Sequence, residues 1–175
     1  MGTSSTGTRS RSGTSPSAYP HRRSSSAPVT KRVRALGLAL IRRGDEILAE
    51  EGWDGVKNER FFRLLGGEIE FGERGAETVR RELREELGAD SDVSRQLGTV
   101  ETVFTYEGEP GHDIALIYEC SLLDDRVYSL DEWDANETTE AGLVTHKLAW
   151  KQLESFRSGR EILYPGGVLS LIGDP

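Results

Sequence analysis

Apolar residues recur along this chain in short runs that predict a mixed β-sheet flanked by helices. Residues 33–41, VRALGLALI, are apolar at almost every position, which indicates a central strand covered on both faces. Polar segments at 52–60 and 124–142 predict loops, and KQLESFRSG and GVLSLIG near the end predict short helical pieces. Further strands are predicted at ILAEE (47–51), FFRLL (61–65), LGTVETVFTYEG (97–108), HDIALIYECSLL (112–123) and LVTHKLAW (143–150). The expected fold class is α/β or α+β.

The first 30 residues differ from the rest of the chain in composition and charge. They are rich in Ser, Thr, Gly, Pro and Arg, so a disordered basic tail is expected at 1–30 and one folded domain at 31–175. Residues 1–34 carry seven of the 22 Lys and Arg, which leaves 15 basic residues against all 30 acidic ones. An acidic domain is not expected to bind nucleic acid, and it would need divalent cations to handle phosphates.

Cysteine content and apolar run length indicate where the protein works. Cys120 is the single cysteine, which excludes an internal disulfide and is typical of a reducing compartment. Its apolar neighbours predict a buried small side chain and not a nucleophile. No apolar run is long enough to span a bilayer, and no secretory signal is visible, so a cytoplasmic location without membrane contact is expected.

The segment RRELREELG concentrates carboxylates on one side of a helix predicted at 76–87. At 100° per residue, Glu82, Glu85 and Glu86 fall within one 100° arc beside an apolar stripe. Neither Glu82 nor Glu86 has a basic residue three or four positions away, the spacing at which helix side chains pair, so both are expected to lack a cationic partner on their own turn. Two interpretations follow: a solvated charged face, or a site for a hard divalent cation with oxygen ligands.

The surrounding spacing favours the cation site. Gly67 is followed after five residues by Glu73 and after seven more by Arg81-Glu82-Leu83-Arg84-Glu85-Glu86-Leu87-Gly88. This pattern, over Gly67–Ala89, resembles the Nudix box of the Nudix (MutT-like) hydrolases, and all its invariant letters match. Two positions depart from the pattern: Ala89 stands where a larger aliphatic residue is usual, and Leu65 where many relatives have proline.

The resemblance implies an α/β/α sandwich and a metal-dependent hydrolase. It implies that Glu82, Glu85 and Glu86 bind Mg²⁺ or Mn²⁺, that one of them helps to activate water, and that the Gly66 carbonyl adds a ligand. Glu73 and Arg81 match box positions that hold the loop against the helix, and Arg81 is placed to orient Glu85. Gly88 matches a glycine that caps the C-terminus of the helix. The left-handed backbone conformation usual at that position also favours glycine. The implied reaction is attack of water on a phosphorus of a nucleoside diphosphate linked to another group.

Several functional assignments stay open at this stage. The resemblance makes Glu137 and Glu140 candidates for the general base, and Arg63 and His112 candidates for substrate contacts, with ordinary loop or strand-end roles as alternatives. Trp53, Phe61, Tyr106 and Trp133 either stack on a base or belong to the core. The substrate stays open among oxidised nucleotides, ADP-ribose, nucleotide sugars and dinucleoside polyphosphates. A homodimer stays open too, as does a non-catalytic nucleotide-binding module on the same fold.

Overall fold

A computed structural model describes residues 31–139 and 142–173, with the side chains of residues 137–139 left out. The predicted tail at 1–30 and Glu140 lie outside the described residues. The elements in chain order are β1 (Arg34–Arg43), β2 (Glu46–Asp54), β3 (Glu59–Arg63), β4 (Leu65–Glu68), α1 (Gly75–Leu87), β5 (Ser91–Tyr106), β6 (Glu109–Leu122), β7 (Glu132–Thr139), β8 (Gly142–Gln152), α2 (Leu153–Arg157) and β9 (Leu163–Tyr164). Short 3₁₀ turns lie at Val127–Ser129 and Val168–Leu171.

The strands form one mixed sheet with β1 near its centre, as its doubly apolar run predicts. The main strand order is β5-β6-β1-β2-β3-β9; β4 pairs with β1, and β8 pairs with both β2 and β7. The β1–β6 and β3–β9 pairs are parallel and the others antiparallel. The mixed α+β class predicted from the apolar pattern is confirmed.

Strands β1 and β2 pair only beside their turn, and this separation creates the space for the site. Arg42 pairs with Ile47 and Arg43 with Glu46. Beyond that point, β4 occupies the edge of β1 and β8 occupies the edge of β2. The chain passes from β3 to β4 through buried Leu64, so the predicted single strand at 61–65 is two strands in the structure. The glycines at 66 and 67 therefore lie where the sheet divides.

A helix covers each face of the sheet. Alternate residues of β1 enter different clusters: Leu36, Leu38 and Leu40 pack in one with α2, and Ala39 and Ile41 in the other with α1. Val79 and Leu83 are the fully buried residues of the apolar stripe on α1. This arrangement agrees with the predicted helix–sheet–helix sandwich. No helix among the described residues is long and apolar enough to cross a membrane.

The loop predicted at 124–142 is wrong in part, because β7 runs through it at Glu132–Thr139. Among the described strands it pairs with β8 alone, and Trp133 and Ala135 pack against the core on the α1 side. Its other described side chains are acidic or polar, residue types that are depleted in strands. The two apolar positions alternate correctly for a half-buried strand, but the acidic residues around them obscure the pattern.

The predicted loop at 52–60 is shorter in the structure. Strand β2 continues to Asp54 and β3 begins at Glu59. The Asp54 carboxylate accepts hydrogen bonds from the backbone N–H groups of Val56 (3.0 Å) and Lys57 (2.9 Å), which stabilises a tight turn. The strand pair therefore forms a hairpin. The lengths of its two strands could be predicted from the sequence only if the turn was recognised.

Candidate active site

The glycine loop approaches its neighbours so closely that side chains are excluded. Gly66 has a φ of 121°, and a Cβ there would lie within 3.0 Å of the Gly37 carbonyl oxygen. A Cβ on Gly67 would lie within 3.0 Å of both carboxylate oxygens of Glu82. The absence of a side chain at residue 67 is what allows the Glu82 carboxylate to rest against the backbone of β4.

Glu73 and Arg81 tie the loop after β4 to helix α1. Arg81 Nε and Nη2 donate to the two Glu73 oxygens at 3.0 Å each, and Nη2 also donates to the Glu68 carbonyl oxygen at 3.2 Å. Thr78 Oγ1 adds a 2.7 Å hydrogen bond to Glu73. The Arg81 hydrogen bonds lower the pKa of Glu73 to about 2, despite opposing burial. These contacts support the structural role that the box pattern implies for both residues.

Arg81 also reaches two of the clustered glutamates. Its Nη1 lies 2.7 Å from Glu82 Oε1 and 3.2 Å from Glu85 Oε2. The Glu85 contact follows from the i, i+4 spacing, whereas the expectation that Glu82 lacks a cationic partner on its own turn is wrong. Adjacent helix residues point about 100° apart, so spacing rules omit them. The long Arg81 side chain nevertheless spans that angle.

Glu86 is the buried member of the glutamate cluster. Only 7% of it is exposed, whereas the Glu85 side chain is 46% exposed. Its Oε2 accepts a 3.3 Å hydrogen bond from the Gly66 N–H, which joins the helix to the glycine loop. Burial, reinforced by the nearby Glu50 carboxylate, raises the pKa of Glu86 to about 8. A cation at this carboxylate would relieve the cost of burying its charge.

The helix ends where its predicted cap lies. Gly88 follows Leu87 with a φ of 64° and ψ of 19°, and its N–H donates to the Arg84 carbonyl oxygen at 2.9 Å. This left-handed conformation suits glycine and confirms the predicted C-cap. The cap residue Gly88 lies two positions after Glu86, so the buried Glu86 carboxylate is in the last turn of α1.

Next to Glu86 lies a polar group from three neighbouring strands, in which Arg63 was a candidate from the sequence but Glu50 and His146 were not. Glu50 on β2 and His146 on β8 are each 2% exposed, and Arg63 on β3 lies opposite Glu50. Arg63 Nη2 lies 2.5 Å from Glu50 Oε2, and His146 Nδ1 lies 3.0 Å from Glu50 Oε1. Burial opposes ionisation of Glu50, but Arg63 and His146 outweigh it and lower its pKa to about 2. The Glu50 hydrogen bond raises the pKa of His146.

One signal for these residues was present in the sequence. In LVTHKLAW, His146 alternates with Leu148 and Trp150, and so shares their buried face. Glu50 likewise lies two residues after buried Leu48. A charged or titratable residue at a core-facing strand position is a functional candidate, but which strands meet is decided by non-local pairing.

The remaining candidates are distributed differently. Arg63 joins the buried group, whereas His112 lies within β6 and not at a strand end, with its Nε2 2.8 Å from Glu101 Oε1. The backbone of Glu137 lies in β7 opposite Val144. Glu140, the other general-base candidate, lies outside the described residues.

The aromatic candidates and the cysteine divide by burial. Phe61 and Tyr106 are 3% and 8% exposed and meet edge to face with centroids 5.9 Å apart, which is a core arrangement. Trp53 is 38% exposed, and Trp133 packs partly buried against the core on the α1 side. Cys120 is buried, and burial raises the pKa of its thiol to about 12, which agrees with an inert core residue.

Among the described residues, one group has ligand atoms close enough together to hold a cation, and it shares Glu86 with the predicted glutamate cluster. Ligand atoms of Glu50, Glu86 and His146 lie within 4.8 Å of one another. Arg63 already supplies a positive charge to Glu50, so Glu50 is paired without a metal ion. On the other side, Glu82, Glu85 and the glycine loop offer oxygen donors that suit Mg²⁺ or Mn²⁺. These donor types suit a hard divalent cation on the box side of Glu86, but among the described residues Glu82, Glu85 and Glu86 do not form a group as close as Glu50, Glu86 and His146.

Comparisons with known proteins identify a family and a fold. A family model described as NUDIX domain matches residues 30–165. The structure resembles a NUDIX hydrolase from Nitrosomonas europaea, with 18% identity over 81% of this chain and 86% of that one and a TM-score of 0.54. It also resembles a MutT NUDIX hydrolase from Burkholderia pseudomallei, with 21% identity over 71% of this chain and 86% of that one and a TM-score of 0.51. A search of curated proteins gave no significant sequence match.

Proposed function

This chain belongs to the NUDIX family and is a hydrolase of that family, and on this premise we propose that it hydrolyses a pyrophosphate bond with a divalent cation. The substrate is a small nucleotide, a nucleoside diphosphate linked to another group, and water attacks one of its phosphorus atoms. The proposal assigns this activity to a domain at residues 31–175, working in the cytoplasm. The buried, single Cys120 is consistent with that reducing compartment.

The observation that carries the proposal is the position of Glu86. Its carboxylate is buried, has a raised pKa and contacts the Gly66 N–H at the point where the sheet divides. Glu82 lies against Gly67, and Glu85, one turn after Arg81, lies beside the Arg81 guanidinium. A carboxylate buried as deeply as that of Glu86 costs stability unless a cation compensates its charge.

The residues of the candidate site then have different roles in the proposed reaction. Glu82, Glu85 and Glu86 would hold Mg²⁺ or Mn²⁺, with the Gly66 carbonyl as a further ligand. The bound cation supplies charge neutralisation for the phosphates and lowers the pKa of water. Arg81 orients Glu82 and Glu85 through its 2.7 Å and 3.2 Å contacts, and Glu73 holds Arg81 in place. A glutamate of this cluster, or Glu137 or Glu140, accepts the proton of the attacking water, and Arg63 and His112 are candidate substrate contacts.

The test compares Glu86→Gln with wild type on a substrate panel. The panel contains ADP-ribose, nucleotide sugars, oxidised nucleoside triphosphates and dinucleoside polyphosphates, each with Mg²⁺ and with products identified by mass. We expect kcat on the active substrate to fall on the order of 100-fold or more, because several kcal/mol of charge stabilisation are lost. Glu119→Gln is the matched control, since Glu119 pairs with Arg95 on another strand. A Glu86→Gln enzyme as fast as wild type would overturn the proposal.

A further inference from the structure

Arg63 pairs with one buried carboxylate, and a second buried carboxylate lies near the first. Its side chain is 13% exposed and pairs with that of Glu50, which is 3% exposed. The ligand atoms of Glu50 and Glu86 lie within 4.8 Å of each other, and Arg63 is close enough to act electrostatically on Glu86. The carboxylate that pairs with the guanidinium therefore lies within 4.8 Å of the carboxylate that is proposed to bind the cation.

The strand register decides which acid the guanidinium takes. Glu50 and Arg63 are directly opposed on antiparallel β2 and β3, where side chains of a cross-strand pair meet. His146 Nδ1 contacts the other Glu50 oxygen at 3.0 Å and holds this carboxylate from β8. Glu86 approaches from the helix instead and is held by the Gly66 N–H. Both partners of the ion pair, Glu50 and Arg63, therefore lie on neighbouring strands of the sheet.

Stability alone does not account for this ion pair. Burying two charges costs several kcal/mol per ion in desolvation, and replacing such pairs with apolar residues is often neutral or stabilising. The pair also places a second carboxylate beside Glu86 and so makes the charge of Glu86 harder to bury. A functional role beside the proposed metal ligand explains why the arrangement is useful.

We propose that Glu50 is a positioning residue that engages Arg63 and thereby keeps the guanidinium from pairing with Glu86, which stays available to a divalent cation. Arginine and a metal ion compete for the same carboxylate oxygens, so an Arg63–Glu86 pair would weaken metal binding. This inference rests on the proposed metal-binding role of Glu86.

The first test measures Mn²⁺ affinity of the full chain by electron paramagnetic resonance titration, without any turnover. Glu50→Gln keeps the shape of the side chain and removes its charge, which leaves Glu86 as the acid for Arg63. We expect affinity to fall roughly 10- to 100-fold, the usual effect of losing an outer partner of a metal ligand. Glu51→Gln, the neighbouring residue on β2 that contacts Arg60 and Lys147, is the matched control and should bind Mn²⁺ like wild type.

The double variant Glu50→Gln/Arg63→Met separates positioning from a merely structural role. It removes the competing cation together with its partner, so Mn²⁺ affinity should return to near the wild-type value. If Glu50 only supported the fold, removal of Arg63 would not restore binding. A double variant that binds Mn²⁺ as weakly as Glu50→Gln therefore contradicts the inference.

Arg63→Met alone keeps the inference testable if circular dichroism shows that Glu50→Gln does not fold. Loss of the competing guanidinium should leave Mn²⁺ affinity equal to or higher than that of wild type, and a lower affinity contradicts the inference. The two proposals fail in different ways. A wild-type chain that binds no Mn²⁺ overturns the metal site itself, whereas wild-type affinity in Glu50→Gln overturns only the role of Glu50.

Discussion

At the scale of single residues, Glu86 carries a conflict between stability and function. Its carboxylate is buried at the end of α1, and its pKa is raised from 4.5 to about 8. A raised carboxyl pKa means that the folded state holds the proton more tightly than the unfolded state. Folding stability is therefore lost as pH rises from 4.5 towards 8. A bound cation would compensate the buried charge and so offset this loss of folding stability.

Glu86→Gln is accordingly expected to stabilise the metal-free protein at pH 8. The neutral amide avoids the cost of a buried carboxylate, so unfolding free energy should rise on the order of 2 kcal/mol. Thermal unfolding by circular dichroism in EDTA measures the change, with Glu119→Gln as the control. Addition of Mg²⁺ should raise the midpoint of wild type but not of Glu86→Gln. A Glu86→Gln midpoint below that of wild type in EDTA would contradict the expected cost.

Glu73 predicts the opposite pH dependence. Its pKa is lowered from 4.5 to about 2, chiefly by the hydrogen bonds from Arg81. The resulting stabilisation is fully present above pH 4.5 and disappears as pH falls towards 2. Glu73→Gln should cost about 2 kcal/mol in urea unfolding at pH 6, and the difference from wild type should narrow steadily in acid. An equal difference at pH 6 and pH 3 would show that the charge of Glu73 is not the cause.

At the scale of elements, the junction between β4 and α1 depends on the backbone at residue 67. A Cβ there would overlap the Glu82 carboxylate, so Gly67→Ala should displace a proposed metal ligand while leaving the sheet paired. We expect hydrolysis to fall roughly 10- to 100-fold in kcat, with only a small change in thermal midpoint. Gly166→Ala is the control, because a Cβ at that position meets no atom within 4 Å. Equal activities of the two alanine variants would refute the predicted displacement.

The sequence predicted α1 to within one residue, 76–87 against Gly75–Leu87, because helix periodicity and capping are local. Strand β7 was missed because its partner β8 and its two core contacts identify it, not its own composition. The same reason applies to the site. Glu82, Glu85 and Glu86 share one helix and could be grouped by spacing, whereas Glu50, Arg63 and His146 meet only through the pairing of β3, β2 and β8.

At the scale of the whole molecule, the proposed activity belongs to the folded domain. The family model matches residues 30–165, and every described residue of the candidate site lies within that range. A chain that begins at residue 31 should therefore hydrolyse its substrate with the kcat of the full chain. Steady-state kinetics of the two forms, matched for folding by circular dichroism, make the comparison. A large loss of turnover in the shorter form would give residues 1–30 a part in the reaction.

In the proposed reaction, water attacks phosphorus at a divalent cation that Glu86 and its neighbours would hold. The most direct measurement is hydrolysis of the substrate panel in ¹⁸O-labelled water with Mg²⁺, read by product mass. We expect one product phosphate to gain a single ¹⁸O, EDTA to stop the reaction, and Glu86→Gln nearly to abolish it. Label-free products, or undiminished turnover in EDTA or in Glu86→Gln, would contradict it.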